Sequence, residues 1–298
     1  MNQCKLKASV IIRTYNEARH LPDLLKGIRS QIAPGFDIEV IVVDSGSSDT
    51  TLAIAESYKC RIEHIRKEDF SFGRSLNIGC QAATGDVLVI VSGHCIPANQ
   101  NWLASIATPV ADGKVAMAYG RQIGDDNSRF SECMIFGKYF PSSSQLPQQG
   151  FYCNNANSAL LRSVWQNNPF DEELSGLEDM YLAKQISSKG MKIGYVADAV
   201  VYHLHQEDWS RIKNRFERES IALQHIMPEV HLRLIDFARY TISSVFYDSV
   251  SAFKIGLLFK YFPEIVMYRI AQYWGSYRGN HYHRKMSRER KERYFYPR

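Results

Sequence analysis

Cysteines are few, six in 298 residues, and none form a CxxC pair. That leaves Cys4, Cys60, Cys80, Cys95, Cys133 and Cys153 as small core fillers or bystanders in a reduced, cytoplasmic setting. Long apolar runs are also missing. No stretch of about 18 uncharged apolar residues exists, so no membrane-spanning helix is expected. The nearest approach, residues 255–259, is bracketed by Lys254 and Lys260. The first apolar run, residues 8–12, is too short for the core of a signal peptide. Charge of one sign is scarce: 36 Lys+Arg against 31 Asp+Glu leaves +5, which excludes a uniformly basic nucleic-acid-binding surface. There is no internal repeat and no low-complexity tract. What remains is 45% hydrophobic and 22% charged, a globular chain long enough for one large or two small domains.

The first hundred residues alternate strand and helix signals. Residues 8–13 (ASVIIR), 38–43 (IEVIVV) and 87–91 (VLVIV) are short, β-branched and apolar throughout, and 61–65 adds a further strand. Between them, residues 16–31 place Leu21, Leu24, Leu25 and Ile28 on one helical face, and 50–58 and 75–83 read as further helices. Wholly apolar strands separated by helices indicate a parallel sheet covered on both faces. In the second half, 117–122 and 157–161 read as strands. The polar segment 125–150 between them reads as a long binding loop or lid. Residues 177–189 predict a helix stopped by Gly190, followed by strands at 192–196 and 199–203. From Trp209 onward the pattern is helical.

In an open parallel sheet, ligands bind beyond the carboxyl ends of the strands. Here those ends carry Arg13-Thr14-Tyr15-Asn16-Glu17, Asp44-Ser45-Gly46-Ser47 and Ser92-Gly93-His94-Cys95. An aromatic to stack a base, carboxylates to accept from base or ribose, and cations for a diphosphate suit a nucleotide. Local roles compete: Asn16 as a helix cap, Asp44 as a turn former. A carboxylate ending an apolar strand adds nothing to burial, which favours a ligand role for Asp44.

Four segments in order, SVIIRTYNEARHLPDLLKGIRSQ, IEVIVVDSGSSDTT, NIGCQAATGDVLVIVSGHCIP and PFDEELSGLEDMYLAKQISSKGMKIGYVADAVVYH, resemble family 2 inverting glycosyltransferases of the GT-A fold. Among these they are most similar to bacterial rhamnosyltransferase-like members that build surface polysaccharides. The resemblance covers residues 8–205. It implies an α/β, Rossmann-like open mixed sheet flanked by helices in residues 1–206, with a nucleotide half (1–97) and an acceptor half (98–206), followed by a helical appendage over 207–298. It also implies roles. Arg13, Tyr15 and Glu17 match the first nucleotide-contacting loop, and Asp44 matches the carboxylate that reads base or ribose. Arg74 and Asn77 match the segment lining donor diphosphate and sugar. Asp179 matches the catalytic base, with Glu178 beside it, and Asn155 and Ser158 match positions near the acceptor. A sugar hydroxyl is a poor nucleophile and needs a carboxylate to take its proton. The departing diphosphate needs cations or a metal.

One position departs from the family pattern. Where Asp-x-Asp is usual, the chain reads Ser92-Gly93-His94. Loss of both acids disfavours Mg²⁺, whereas imidazole suits Mn²⁺ and softer ions. Three readings stay open: His94 ligates such an ion together with His203 or His205, His94 faces the diphosphate without metal, or the chain is a catalytically silent binding relative. A nucleotidyltransferase is a weaker alternative, because it would need carboxylate-held Mg²⁺ at the rim. The partners implied are a nucleotide-diphosphate sugar and a glycan or lipid-linked glycan. The last 22 residues hold eight Lys/Arg against two Glu. With the aromatic-rich helices before it, this tail either lies on an anionic membrane at the inner face of the cell membrane, or packs on the body or a second copy. Nucleic acid is not an expected partner.

Overall fold

The computed structural model of the protein describes residues 5–282 and 288–296; Cys4 and part of the basic tail fall outside them. The chain forms two compact units. One comprises residues up to Asp125 with Tyr139–Glu173 and Glu178–Leu204, the other Asp126–Lys138, Leu174–Leu177 and residues from His205 onward.

In chain order the elements are β1 (Leu6–Thr14), α1 (Leu21–Arg29), β2 (Phe36–Asp44), α2 (Thr51–Ser57), β3 (Arg61–His64), α3 (Phe72–Ala82), β4 (Val87–Ser92), β5 (Cys95–Pro97), α4 (Trp102–Ala111), β6 (Met117–Ile123), α5 (Phe130–Tyr139), β7 (Asn157–Leu161), α6 (Arg162–Asn167), α7 (Glu178–Ser188) and β8 (Ile193–His203). The strands join in the order β3-β2-β1-β4-β7-β6-β8-β5. The first four are parallel, as their apolar runs predict, and β7 then runs antiparallel to both β4 and β6. Every residue from Val87 to Val91 is fully buried, as are Val10, Ile11 and Ile12. The sheet is therefore covered on both faces, by α1 and α4 on one side and α3 on the other.

Register decides what meets at the rim. Thr14 pairs with Asp44 and Arg13 with Ser92, so three strand ends finish level. Because β7 is reversed, Asn157 pairs with Val91 and the chain entering β7 reaches the same edge. Cys95 of β5 pairs with His203 of β8.

Three local readings are corrected. The helix expected over 16–31 begins at Leu21; Asn16 sits at φ 55° and caps nothing, because its side chain is committed elsewhere. The two strands expected at 192–196 and 199–203 are one strand, β8, whose pairing with β6 jumps from Gly120–Val196 to Arg121–Val200. Residues 197–199 form the bulge. Here Asn157 Nδ2 donates to the carbonyls of Arg121 (3.2 Å) and Ala199 (2.7 Å), while its Oδ1 accepts from Trp102 Nε1 at 2.9 Å. A Cβ on Gly120 would collide with this amide and with Ala199. The polar segment 125–150 contains α5, which periodicity missed because tertiary partners stabilise it: buried Ser131 and Glu132 are hydrogen-bonded to Asp248 and His205. The sheet is mixed, as the resemblance implies: the parallel run indicated by the apolar strands covers β1 to β4, and β7 enters from the opposite end.

The second unit adds α8 (Trp209–Ile226), α9 (Leu234–Lys254), α10 (Leu258–Asn280) and α11 (Arg288–Phe295). Gly275 and Gly279 of α10 face the carbonyls of Lys213 and Glu217 with no room for a Cβ, so α10 lies directly against α8. Asp248 is buried and takes two bonds from Arg269 at 2.8 and 2.9 Å. Among the described residues, no helix is long and apolar enough to cross a membrane.

Removing the Asn157 amide would leave the Trp102 indole N–H and the buried Ala199 carbonyl without this partner, and take a bond from the partly buried Arg121 carbonyl. At roughly 1–3 kcal/mol for each of the two buried groups, Asn157→Ala is expected to destabilise the first unit by about 2–6 kcal/mol. Urea unfolding measures this, and an unchanged midpoint would contradict the bracing role.

Candidate active site

The site is built on the loops after β1 and β2, which brace each other. Thr14 Oγ1 donates to Asp44 Oδ1 at 3.2 Å, and Asp44 Oδ2 accepts the backbone N–H groups of Gly46 and Ser47, both at 2.9 Å. Asp44 is fully buried, so in this state its carboxylate organises the loop. Asn16 closes the other side. Its N–H donates to Ser47 Oγ and its Oδ1 accepts from the Ser48 N–H, both at 2.8 Å. Asn tolerates the left-handed backbone needed there better than most residues. Asp49 adds a third tie, accepting from the Ala18 and Thr51 amides at 3.1 and 2.9 Å. Burial pushes the Asp49 carboxyl up, but these donors and the Thr51 hydroxyl outweigh it and hold it below the usual range. Tyr15 lies beside this frame, its hydroxyl accepting from Lys67 Nζ at 3.1 Å.

His94 follows β4. Its Nδ1 lies 2.7 Å from Glu17 Oε1, and its ring stacks on His203 with centroids 5.1 Å apart and planes 17° from parallel. A Cβ on Gly93 would reach within 2.9 Å of Glu17 Cγ, so glycine is what lets Glu17 approach. His203 Nδ1 lies 2.6 Å from Gln122 Oε1. Gln122 is oriented in turn by donating its Nε2 to Asn154 Oδ1 at 3.0 Å. Both imidazoles therefore meet an acceptor at Nδ1, which puts the proton there and makes Nε2 the basic nitrogen. Metal-ligating histidines are commonly oriented in this way. Ligand nitrogens of His94 and His203 come within 4.8 Å of each other. The pair fits a divalent ion of the Mn²⁺ type better than Mg²⁺, since imidazole dominates the donor set. His205 belongs to the second unit, where it pairs with Glu132 at 2.7 Å. Arg215 bonds both Glu132 and Glu207 at 3.2 and 2.7 Å, so that cluster is a charge-neutralising network rather than an open metal cage.

The acid pair opens α7. Glu178 and Asp179 are both buried. Asp179 Oδ2 accepts the Asn155 backbone N–H and Oδ1 that of Met180, each at 2.7 Å. Arg13 Nη1 stands 3.5 Å from Glu178 Oε1 and lies over the Phe72 ring at 4.8 Å. Asn155 Nδ2 approaches Glu178 at 3.4 Å, and its Oδ1 accepts from Ser158 Oγ at 2.7 Å. Burial pushes the Asp179 carboxyl up to about 7; the neighbouring Glu178 charge adds to the rise, and the two amides and Arg13 oppose it. The structure thus gathers Arg13, Asn155, Ser158, Glu178 and Asp179 into one buried cluster. Glu17 in the loop after β1, His94 between β4 and β5, and His203 at the end of β8 form a second.

Arg74 and Asn77 sit on α3 and differ. Arg74 is about half exposed, 4.0 Å from Asp69. Asn77 is fully engaged: its Nδ2 donates to Phe170 O and Glu172 Oε1, both at 2.9 Å, and its Oδ1 accepts from Trp165 Nε1 and Phe170 N, both at 3.0 Å. It ties α3 to the 165–172 segment and edges an open groove of about 520 Å³ with Trp165, Arg61 and Gln81. Sequence reasoning missed Asp49, Thr51, Gln122 and Asn154, which orient other side chains. The DSGSSDTT run contained the signal for the first two. Nothing local marked Gln122 or Asn154.

Residues 9–166 match the family described as Glycosyl transferase family 2. The O-antigen chain rhamnosyltransferase RfbN of Salmonella typhimurium is 28% identical over 214 residues, 67% of each chain. The mannosyltransferase PcManGT of Pyrobaculum calidifontis, solved with GDP-Man and Mn²⁺, superposes with a TM-score of 0.60 at 16% identity, covering 98% of this chain and 88% of that one. A fragment of TarS from Staphylococcus aureus, solved with UDP-GlcNAc, gives a TM-score of 0.52 at 16% identity, covering 94% and 93%. Of a longer TarS chain, the protein spans 43%. At such identities the solved structures show a shared fold, the GT-A mixed sheet with flanking helices. On the match over residues 9–166, the chain belongs to glycosyl transferase family 2.

Proposed function

We propose that this chain moves a sugar from a nucleoside-diphosphate sugar to a hydroxyl of a growing surface glycan, of capsule, O-antigen or exopolysaccharide type, with inversion at the anomeric carbon. The observation that carries the reading is Asp179: a buried carboxylate held by two backbone amides, with its proton affinity raised to about 7. A base poised near neutrality both ionises at working pH and retains the affinity to accept a proton.

The acceptor hydroxyl gives its proton to Asp179 as its oxygen bonds to the anomeric carbon. The bond to the diphosphate breaks on the opposite face, and its electron pair leaves on the phosphate oxygen. Glu178 and Asn155, with Ser158 behind it, line the acceptor side, and Arg13 keeps the paired acids from repelling each other out of place. Tyr15, Glu17 and Asp44 hold the nucleoside; for Asp44 this requires the donor to replace part of its loop bonding. Arg74 and His94 face the diphosphate, and Asn77 acts by holding the neighbouring segment. His94 and His203 would hold a divalent ion, which supplies positive charge to the departing diphosphate. The acceptor is a glycan or lipid-linked glycan, and the C-terminal region is the proposed contact with the inner face of the cell membrane.

Asp179→Asn is expected to lower turnover by about 10²–10⁴-fold while donor affinity stays near wild type. Isothermal titration with the donor and a transfer assay read the two quantities, and retained turnover would refute the base assignment. Because the base works ionised, kcat/KM should rise with pH through about 7 and level off above it. Glu178→Gln removes the neighbouring negative charge, so Asp179 becomes more acidic and the limb moves to lower pH. A pH–rate profile that does not move contradicts the coupling. Chelation should abolish turnover, with Mn²⁺ restoring it better than Mg²⁺; full activity in EDTA would exclude the His94–His203 ion.

A further inference from the structure

The second unit carries a surface that the proposed chemistry does not use. At the turn between α9 and α10 the chain reads Phe253-Lys254-Ile255-Gly256-Leu257-Leu258-Phe259-Lys260, with Gly256 in the left-handed region at φ 73°. Phe253 is 70% exposed, Ile255 59% and Phe259 96%, so the most apolar residues of the hairpin project from its tip. Ile242 and Phe246 continue the apolar line back along α9, each 70% exposed. A contiguous exposed apolar surface of this kind marks a docking site for protein or membrane.

Charge selects between these occupants. From residue 249 to 263 the sequence contains Lys254 and Lys260 and no acidic residue. The acids on either side are committed: Asp248 is buried against Arg269 and Ser131, and Glu264 accepts the Phe130 amide at 2.7 Å. A second copy docking on itself would set Lys254 and Lys260 against their own duplicates with nothing to neutralise them. An anionic lipid surface offers the opposite charge, an apolar layer for the three tip side chains, and a headgroup level to which lysine ammonium groups can reach from buried stems.

We propose that the α9–α10 tip is a membrane wedge for anionic phospholipid: Phe253, Ile255 and Phe259 enter the acyl boundary while Lys254 and Lys260 pair with headgroup phosphates. This refines the membrane contact proposed above and rests on it; the contact is interfacial and spans nothing.

The test is flotation of the full chain with vesicles of phosphatidylcholine containing about one third phosphatidylglycerol, against phosphatidylcholine alone. Wild type should float with the anionic vesicles. Phe253→Ser with Phe259→Ser should weaken binding at least tenfold. Lys254→Glu with Lys260→Glu should do the same on anionic vesicles only. These side chains are exposed, so circular dichroism and donor hydrolysis should match wild type. Failure of wild type to float, equal flotation of all forms, or a wild-type dimer in sedimentation velocity that the serine variant dissociates would each overturn the proposal, the last by assigning the surface to a second copy. Donor hydrolysis separates the two readings. Its absence from wild type that still floats counts against the transferase chemistry and leaves the wedge standing.

Discussion

Two adjacent carboxylates buried at one point are the constraint around which the first unit is arranged. Glu178 and Asp179 repel each other and have lost most of their water, and a low-dielectric setting makes both penalties larger. The fold answers with a guanidinium from the end of β1, a backbone amide from the chain entering β7, and the Met180 amide in the first turn of α7. Those donors come from three separate elements. The compensation is incomplete, and the surplus appears as the raised proton affinity of Asp179. The base role proposed for Asp179 rests on the same unfavourable electrostatics. Functional sites commonly retain such uncompensated terms.

The neighbouring loops obey the reverse logic. Asp44, Asn16 and Asp49 are polar groups with their hydrogen bonds met inside the chain, so they rigidify where the acid pair is poised. His94 and His203 occupy a middle position. One nitrogen of each ring is fixed by Glu17 or Gln122, and this settles which nitrogen remains basic. The departure from the family's Asp-x-Asp pattern to Ser92-Gly93-His94 exchanges two carboxylates for one imidazole, which is why a Mn²⁺-type ion is the one proposed above. Gly93 has a steric role in that exchange, since any side chain there would push Glu17 away from His94.

Several residues of the candidate site are legible in the sequence. Arg13, Asp44 and His94 end apolar strands, where polar side chains contribute nothing to burial. The register then brings those strand ends level. Asn77 illustrates the limit. The resemblance implied a ligand contact for it, yet all its hydrogen-bonding capacity goes to residues about ninety positions later in the chain. The helix α5 was invisible for a related reason: it depends on buried partners such as Asp248 and His205, and no local period announces them.

By itself the sequence determined β1, β2 and β4, through unbroken apolar runs rich in β-branched residues, and the set of polar residues at their carboxyl ends. Those are local properties, set by side-chain shape and by the cost of burying what cannot be hydrogen-bonded. Tertiary structure decided the reversal of β7, the bulge in β8, the pairing of the acids with Arg13, and the exposure of the aromatic tip between α9 and α10. Each of these depends on which distant group arrives to satisfy a charge, an amide or an apolar face, and one-dimensional patterns of hydrophobicity do not specify that meeting.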